Sequence, residues 1–417
     1  MKSPSAFLRI PAIAAALCVP SISSAADWPN WRGPAQNGSL DAGDYPTKWK
    51  PDDVAWKVAL PGKGGSSPII WGGNIIVTCP DGSQNSVIAF DGNGKRLWQS
   101  KLGKAKNPKH KKLGSSCNSS PVTDGKGIYV YFKSGDFAAL EMGGKVRWHK
   151  NLHDEFGPEK LYWDQGSSPV IVGDTVVLTR LHGGKSWIAG YDTKTGKEKW
   201  RQARDYKVPK ENDNGYTTPV IFEHKGETAL LVWCSDHLTA HSAKDGKVLW
   251  TCAGFNPDAT GFWPAISSPV VIDGVAVVPV GRDDRKGQAR MHGVTLGGKR
   301  AWQRDDVGVF VPSPVEYKGK VYLLRNRGGV VCLDPKKGKT IWEGEFPRGS
   351  ANYYASPLIV GGVFYAARED GVMFTAKVVD GFKQIAEIDM GEQIIATPVP
   401  FEEKLLIRGA KHLFCID

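Results

Sequence analysis

The sequence predicts an all-β fold, an eight-bladed β-propeller whose blades each hold four strands. Three observations predict it. A proline-containing segment recurs eight times, a Gly-Lys turn followed by a tryptophan recurs six times, and the last repeat lacks one strand. Together these features are typical of a ring of similar sheets.

The recurring segment consists of small polar residues, a proline and an apolar run, as in GSSPVIVGDTVVLTRLHGG from Gly166 to Gly184. Its prolines are Pro68, Pro121, Pro169, Pro219, Pro269, Pro314, Pro357 and Pro398. Their mean spacing is about 47 residues, within the range of propellers and helical arrays. Runs rich in Val, Ile and Tyr between glycine turns indicate strands, and a repeat of this length accommodates the four strands of a blade.

The second half of the repeat carries the Gly-Lys turn and the tryptophan. The six copies contain Trp98, Trp148, Trp200, Trp250, Trp302 and Trp342. The glycine supplies the positive φ of a tight hairpin, and the tryptophan supplies a large area for one blade to dock against the next. The seventh repeat differs, because Ala386 occupies the tryptophan position in VVDGFKQIA.

The eighth repeat supplies only three strands, in ATPVPF, KLLIRG and HLFCID. The segment DVAWKVAL contains Trp56 and is predicted to supply the fourth strand, with Trp56 as a further docking tryptophan. Pairing of this strand with the last blade closes the ring and removes exposed sheet edges. The predicted units are therefore an N-terminal strap at 27–53 and the propeller at 54–417.

Residues 1–26 are predicted to be a secretory signal peptide. Lys2 and Arg9 precede an apolar run, and the small residues from Ser23 to Ala26 form a cleavage site. The alternative, a lipoprotein anchored at Cys18, is disfavoured because Leu17 stands where small residues are usual. No later stretch approaches the roughly 20 apolar residues of a spanning helix. We therefore expect an exported chain, periplasmic or secreted, without a transmembrane segment.

The chain is basic, with 54 Lys and Arg against 43 Asp and Glu. Such an excess favours acidic partners. Part of it lies in KLGKAKNPKHKK, from Lys101 to Lys112. We expect this segment to be a solvated loop rather than a site for nucleic acid or an envelope polymer, because no nucleic-acid-binding motif accompanies it.

Six cysteines follow the predicted cleavage site, without a CxxC pair or a zinc-ligand spacing. Haem attachment and structural zinc therefore have no support. A disulfide between Cys79 and Cys117 is compatible with their positions in adjacent blades, but bonding requires Cα atoms within about 7 Å of each other. The pairing stays open at this stage.

A ligand-binding funnel is predicted where segments entering the first strands and leaving the second strands open on one face. Its arginines are Arg180, Arg282, Arg325, Arg368 and Arg408, and its other members are Trp163, Asp164, Trp263, Tyr353 and Tyr354. Guanidinium groups bind carboxylates in a bidentate manner, so an acidic peptide or another anionic ligand would suit them. The alternative is a structural network with Asp164, Asp236, Asp283, Asp284, Glu369 and Asp370.

The polar residue, Gly-Lys and tryptophan of the repeat resemble the repeat of pyrroloquinoline-quinone (PQQ) dehydrogenases and of their non-catalytic BamB-type relatives. The resemblance covers almost the whole chain, and DWPNWRGPAQNG resembles the start of exported PQQ-like repeat proteins. It implies a propeller, with PQQ and calcium in the enzymes. Those enzymes typically carry a vicinal cysteine pair and calcium ligands, whereas no two cysteines are adjacent here and no matching ligand motif is found.

We therefore expect a non-catalytic binding or scaffold module for envelope proteins or peptides, with no metal, no cofactor, no nucleic-acid partner and no assigned catalytic residue. One alternative is a PQQ-dependent oxidoreductase acting on alcohols or sugars with PQQ and calcium. A second is a polysaccharide-binding propeller that uses Trp163, Trp263 and Tyr353 as stacking platforms. The fold alone does not decide among these functions, because function depends on the residues of the site.

Overall fold

A computed structural model describes residues 27–50, 52 and 54–417. The predicted signal peptide at 1–26 lies outside these residues. The described chain forms eight sheets, each with four antiparallel strands of one blade, and the prediction of an eight-bladed β-propeller is confirmed. In this part of the chain, no helix combines the length and the apolar character needed to cross a bilayer.

The first half of the chain contains the strands of the strap, of blades 1 to 4 and the fourth strand of blade 8. They are β1 (Ser39–Leu40), β2 (Trp56–Ala59), β3 (Ile69–Trp71), β4 (Asn74–Asp81), β5 (Gln84–Phe90), β6 (Arg96–Lys104), β7 (Val122–Thr123), β8 (Ile128–Tyr131), β9 (Asp136–Leu140), β10 (Val146–Asn151), the short helix α1 (Leu152–Phe156), β11 (Val170–Val172), β12 (Thr175–Arg180), β13 (Trp187–Asp192), β14 (Glu198–Ala203), β15 (Val220–His224), β16 (Glu227–Cys234), β17 (His237–Ser242) and β18 (Val248–Cys252).

The second half forms blades 5 to 8. Its strands are β19 (Val270–Ile272), β20 (Val275–Gly281), β21 (Ala289–Thr295), β22 (Arg300–Arg304), β23 (Val315–Tyr317), β24 (Lys320–Leu324), β25 (Gly329–Leu333), β26 (Thr340–Glu345), β27 (Leu358–Val360), β28 (Val363–Ala367), β29 (Val372–Lys377), β30 (Lys383–Asp389), β31 (Val399–Phe401), β32 (Lys404–Arg408) and β33 (His412–Ile416).

Blade 8 closes the ring in the predicted way. Its sheet has the order β2-β33-β32-β31, so the N-terminal strand β2 is the fourth strand of the last blade. Trp56 lies opposite Cys415, and Ala59 lies opposite His412. The first strand of each blade faces the channel, which is why a proline just before it, without an N–H group, costs no ladder hydrogen bond.

A ring of hydroxyl residues joins the blades around the channel. It consists of the serine or threonine before each repeat proline: Ser67, Ser120, Ser168, Thr218, Ser268, Ser313, Ser356 and Thr397. In seven of the eight steps the backbone N–H of one member donates to the side-chain hydroxyl of the next blade's member, at 2.9–3.1 Å. These buried bonds explain why a hydroxyl residue precedes the proline in every repeat.

We expect Ser313→Ala to lower the free energy of unfolding by about 1–3 kcal/mol, because it leaves the buried N–H of Ser268 without an acceptor. Chemical denaturation measures this change. Ser83→Ala is the control, since Ser83 is exposed and lies outside the ring. A loss that is the same for both variants would contradict a stabilising role of the ring.

The docking tryptophans lie against glycines of the neighbouring blade. A Cβ added to the turn glycine would lie 2.4–2.9 Å from the indole of the preceding blade in six pairs: Trp56 with Gly94, Trp98 with Gly144, Trp148 with Gly196, Trp200 with Gly246, Trp250 with Gly298 and Trp302 with Gly338. All six glycines have positive φ. The turn glycine therefore serves the backbone conformation and the blade contact at once.

The strap supplies aromatic area in blade 7, where the docking tryptophan is missing. Tyr45 and Trp49 pack with Ala386 against the same buried cluster. The Trp49 indole N–H donates to the sulfur of Met390 at 3.3 Å. The strap is thus part of the packed core at this position.

The strap also crosses the channel at one end of the ring. Trp28 forms a bridge with Ile70 of blade 1, with N···O distances of 3.0 and 2.9 Å. Gln36 donates to the carbonyl of Pro219 at 3.2 Å and accepts from the N–H of Ile221 at 2.8 Å. Strand β1 then pairs in parallel with β27 of blade 7. These contacts close this end of the channel.

The six cysteines of the described chain are buried thiols. Cys79 and Cys117 are therefore not joined. Burial raises the pKa of Cys117 to about 12, so this thiol stays protonated at neutral pH.

Candidate functional site

The channel widens at its other end into a cavity of about 690 Å³. Seven of the eight hydroxyl-ring residues line its lower wall. The residue two positions before each ring member lines the next layer: Gly65, Asn118, Gly166, Tyr216, Ile266, Val311, Tyr354 and Ile395. Residues two apart on an extended chain face the same side. Trp31 of the strap forms the floor.

Four aromatic side chains surround the mouth of the cavity. They are Tyr162, Trp163, Phe262 and Phe310. Tyr162 is 52% exposed and Phe262 is 38% exposed, although both are large apolar groups. Exposed aromatic groups beside a concave site are typical of binding surfaces.

Five charged side chains lie at the mouth: Glu211, Arg282, Asp284, Arg285 and Arg327. Arg282 holds Asp284 through two hydrogen bonds of 2.8 and 2.7 Å, so these two charges compensate each other. Arg327 donates to the carbonyl of Ser350 at 3.2 Å. Among the described residues neither Arg327 nor Arg285 forms an ion pair with a carboxylate. Two guanidinium groups are therefore available at the mouth.

An amide chain continues the wall between blades 6 and 7. Asn326 donates to the Asn352 amide oxygen, and Asn352 donates to the Tyr354 hydroxyl, both at 3.0 Å. The N–H of Asn326 donates to Asp283 at 2.6 Å, and burial raises the pKa of this carboxyl to about 6. The pKa of Tyr354 is also raised by burial. The wall is thus polar here, and its side-chain amides can bond to a peptide backbone.

Three of the ten predicted funnel residues line the cavity: Arg282, Trp163 and Tyr354. The other seven do not line it: Asp164, Arg180, Trp263, Arg325, Tyr353, Arg368 and Arg408. The prediction placed the end of each second strand beside the channel, but this strand lies one position further out in the blade.

Arg180 and Arg408 are the clearest examples of predicted funnel residues that do not line the cavity. Both end second strands and are 1% exposed. Arg180 donates to the carbonyl of Gly157 at 2.7 Å and lies 3.3 Å from the Glu159 carboxylate. Arg408 donates to the carbonyls of Ser66 and Thr78, each at 2.7 Å. These arginines hold backbone and side chains together inside the ring.

Arg325 and Arg368 are also engaged in local contacts. Arg368 pairs with Asp370 at 2.9 Å, and Arg325 donates to the carbonyl of Asp306 at 3.1 Å. From the sequence, a structural network of arginines and carboxylates is the alternative to a ligand site. The Arg282–Asp284 and Arg368–Asp370 pairs form part of that network.

Trp263 and Tyr353 do not offer stacking faces. They are 6% and 1% exposed, and the Trp263 indole donates to Gln288 at 3.1 Å. Trp163 remains at the mouth, but the His110 ring covers it at a centroid distance of 3.8 Å. Asp164 accepts from the N–H of Lys109 at 3.1 Å instead of facing the cavity. Of the three aromatic residues predicted to stack on a polysaccharide, only Trp163 lines the cavity.

A sequence motif could have predicted which residues line the cavity wall. The motif x-[S/T]-[S/T]-P, or its variants with Pro or Ala in the second place, places x and the residue before proline on one face. Reading those two positions in all repeats yields both layers of the cavity. The mouth residues Arg285 and Arg327 lie in irregular loops without such a pattern.

The described residues do not form a carboxylate site for a calcium ion. No three His, Cys, Asp or Glu side chains of the described chain form a group that could hold a metal ion. The carboxylates at the cavity are Glu211 and Asp284, and Arg282 holds the second of them. No two cysteines are adjacent in the sequence.

The ring and its cavity define a β-propeller of the PQQ-like class. A family profile described as outer membrane protein assembly factor BamB matches residues 47–185 and 184–381. The matches cover most of the chain, which therefore belongs to this family.

Comparison with individual proteins gives weaker likenesses. The chain is 26% identical over 211 residues to quinohemoprotein alcohol dehydrogenase ADH IIB of Pseudomonas putida; the match covers 49% of this chain and only 28% of that protein. BamB from Moraxella catarrhalis has a TM-score of 0.63 at 15% identity, over 87% of this chain and 97% of that one.

Two solved dehydrogenase structures share the fold to a similar extent. Quinohemoprotein alcohol dehydrogenase from Comamonas testosteroni has a TM-score of 0.68 at 14% identity, over 94% of this chain and 80% of that one. A europium-containing methanol dehydrogenase has a TM-score of 0.69 at 13% identity, over 93% and 90%. At these identities the likeness shows the fold alone.

Proposed function

We propose that this chain is a non-catalytic binding module that takes a segment of an envelope protein into its central cavity. The observation that carries the proposal is the cavity itself, which has exposed aromatic groups at its mouth and a floor closed by Trp31. Its volume of about 690 Å³ lies within the usual range of ligand sites. The assembly-factor description of the family and the predicted export signal support an envelope partner.

The lining suits a peptide segment. Apolar side chains of Ile266, Val311 and Ile395 offer an environment for an apolar side chain. The side-chain amides of Asn118, Asn326 and Asn352 also line the cavity. Such amides can bond to the backbone of an incoming segment. Since the floor is closed, a loop or a chain end would enter and leave by the mouth.

Site-specific photocrosslinking in cells tests this proposal. A benzophenone amino acid at Phe262, at the mouth, is expected to capture a defined envelope protein. The control position is Leu97, which is 46% exposed on the outer strand of blade 1. The captured partner, once purified, is expected to bind the intact protein one-to-one, and Phe262→Ala is expected to weaken this binding by about tenfold.

Capture of the same proteins from both positions, or none from Phe262, would overturn the proposal. Calorimetric titration with PQQ and calcium provides the opposing test. Saturable one-to-one binding of PQQ would favour the oxidoreductase alternative and would call for a substrate screen.

A further inference from the structure

The basic segment between blades 1 and 2 lies beside the cavity mouth, with its lysine side chains exposed as expected of a solvated loop. Its part from 105 to 114, here called the basic arm, contains Lys106, Lys109, Lys111 and Lys112. The Lys109 backbone N–H donates to Asp164 at 3.1 Å, and the His110 ring contacts Trp163 at a centroid distance of 3.8 Å, tilted by 38°. Leu113 of the arm lines the cavity. The arm is therefore part of the site.

The arm extends across the mouth. It leaves the ring between blades 1 and 2, yet the Lys112 ammonium lies 3.7 Å from the Glu369 carboxylate of blade 7. The Lys112 side chain thus links the arm to blade 7. The Lys112 side chain is 78% exposed despite this contact, and Lys111 is exposed as well.

Cationic groups from several parts of the ring lie near the opening. Lys111 and Lys112 are on the arm, and Arg285 and Arg327 belong to blades 5 and 6. The pKa of Lys63, which donates to the Lys111 carbonyl at 3.3 Å, is lowered by burial and then by repulsion from Lys112. Glu211 is the one lining carboxylate in the described chain that no arginine or lysine pairs with. Three arginines against two carboxylates line the cavity, and such a positive excess attracts anionic ligands.

We infer that the segment taken by the cavity is an acidic peptide, with carboxylates on Arg285, Arg327 and the basic arm and an apolar side chain between Phe262, Phe310 and Tyr354. This inference rests on the proposed function and adds the chemistry of the partner. A peptide fits better than a nucleic acid or an acidic polysaccharide, because the charged groups lie only at the mouth. The interior below them is lined by hydroxyl, amide and apolar groups without a charge and ends at Trp31.

Fluorescence anisotropy with two labelled hexapeptides tests the inference on the full mature protein. The acidic probe is Asp-Glu-Phe-Glu-Asp-Phe, and the second is its amide counterpart Asn-Gln-Phe-Gln-Asn-Phe. The acidic probe is expected to bind at least about tenfold more tightly. Its affinity is expected to fall as salt rises from about 0.05 M to about 0.3 M, since the Debye length shortens.

Matched variants locate the effect. Arg285→Gln/Arg327→Gln and Lys111→Gln/Lys112→Gln are each expected to weaken binding of the acidic probe by about tenfold. Lys95→Gln/Arg96→Gln removes the same charge from exposed positions at the outer edge of blade 1 and is expected to leave binding unchanged. Equal weakening by this control pair would show attraction by net charge alone and would overturn the inference.

The two proposals fail separately. If the partner captured through Phe262 binds while both probes bind equally, the acidic specificity is wrong and the binding module stands. If neither probe binds and Phe262 captures nothing, both are wrong. Tighter binding of heparin than of the acidic probe, lost in the Arg285→Gln/Arg327→Gln variant, would assign the mouth to an acidic polysaccharide instead.

Discussion

Trp302→Ala is expected to lower the free energy of unfolding by about 3–5 kcal/mol, the usual cost of removing a large aromatic side chain from a packed site. The indole lies between Gly293 of its own blade and Gly338 of blade 6. Its N–H donates to the carbonyl of Pro335 at 2.7 Å. The substitution removes both a packing surface and a hydrogen bond from one contact between blades. Denaturant unfolding followed by circular dichroism measures the loss.

Two glycine variants in blade 6 separate the blade contact from backbone strain. Gly338 and Gly319 both have positive φ, of 66° and 76°. An added Cβ would lie 2.5 Å from the Trp302 ring at Gly338, and it would meet nothing within 4 Å at Gly319. Gly319→Ala is expected to cost about 1–2 kcal/mol from backbone strain, and Gly338→Ala a further ~1–3 kcal/mol from overpacking.

The same pair provides the decisive control. In the Trp302→Ala background the extra cost of Gly338→Ala is expected to disappear, because the clashing ring is gone; such non-additivity is the mark of direct contact. Equal costs for the two glycine variants in the native background would contradict docking of the tryptophan on the turn.

Much of the fold could be predicted because its determinants are local and repeated. Each proline, turn glycine and docking tryptophan acts within one blade or on the next blade, so their spacing along the chain reports the structure directly. Closure by the segment around Trp56 follows from the missing strand of the last repeat. The role of the strap at Ala386 could not be predicted, since its contacts join residues far apart in the sequence.

The site was harder to predict for a geometric reason. The sequence shows that Arg180 and Arg408 end second strands, but not how far from the channel those strands lie. The contact between Lys112 and Glu369 joins two irregular loops of different blades, and no periodicity reports such a contact. The two layers of the cavity wall could have been predicted, because their residues follow the alternation of an extended chain.

Arg180→Met is expected to lower the free energy of unfolding by about 3–5 kcal/mol, because it leaves a buried carboxylate without its counter-charge. Glu159 lies beside the Arg180 guanidinium and accepts from the Tyr131 hydroxyl at 2.6 Å. Both charged side chains are almost completely buried. Arg348→Met, which removes an exposed pair with Glu345, is expected to leave stability unchanged.

The loss in free energy of unfolding caused by Arg180→Met is expected to depend on pH. Burial already raises the pKa of Glu159 above its ordinary value of 4.5, and loss of Arg180 raises it further. The folded variant then binds a proton more readily than the unfolded chain, so it is stabilised below pH 4.5 and loses this stabilisation as pH rises through the folded pKa. Arg180→Met/Glu159→Gln is expected to recover much of the loss and to show no such dependence.

Binding of the acidic probe distinguishes a structural Arg180 from a ligand-binding one. Arg180 does not line the cavity, and its contacts are Gly157 and Glu159. Under conditions that keep Arg180→Met folded, the probe is therefore expected to bind as tightly as it binds the native protein. Arg285→Gln/Arg327→Gln should show the reverse pattern, weak binding with native stability. Loss of probe binding in folded Arg180→Met, with stability intact, would restore the arginine cluster predicted from the sequence.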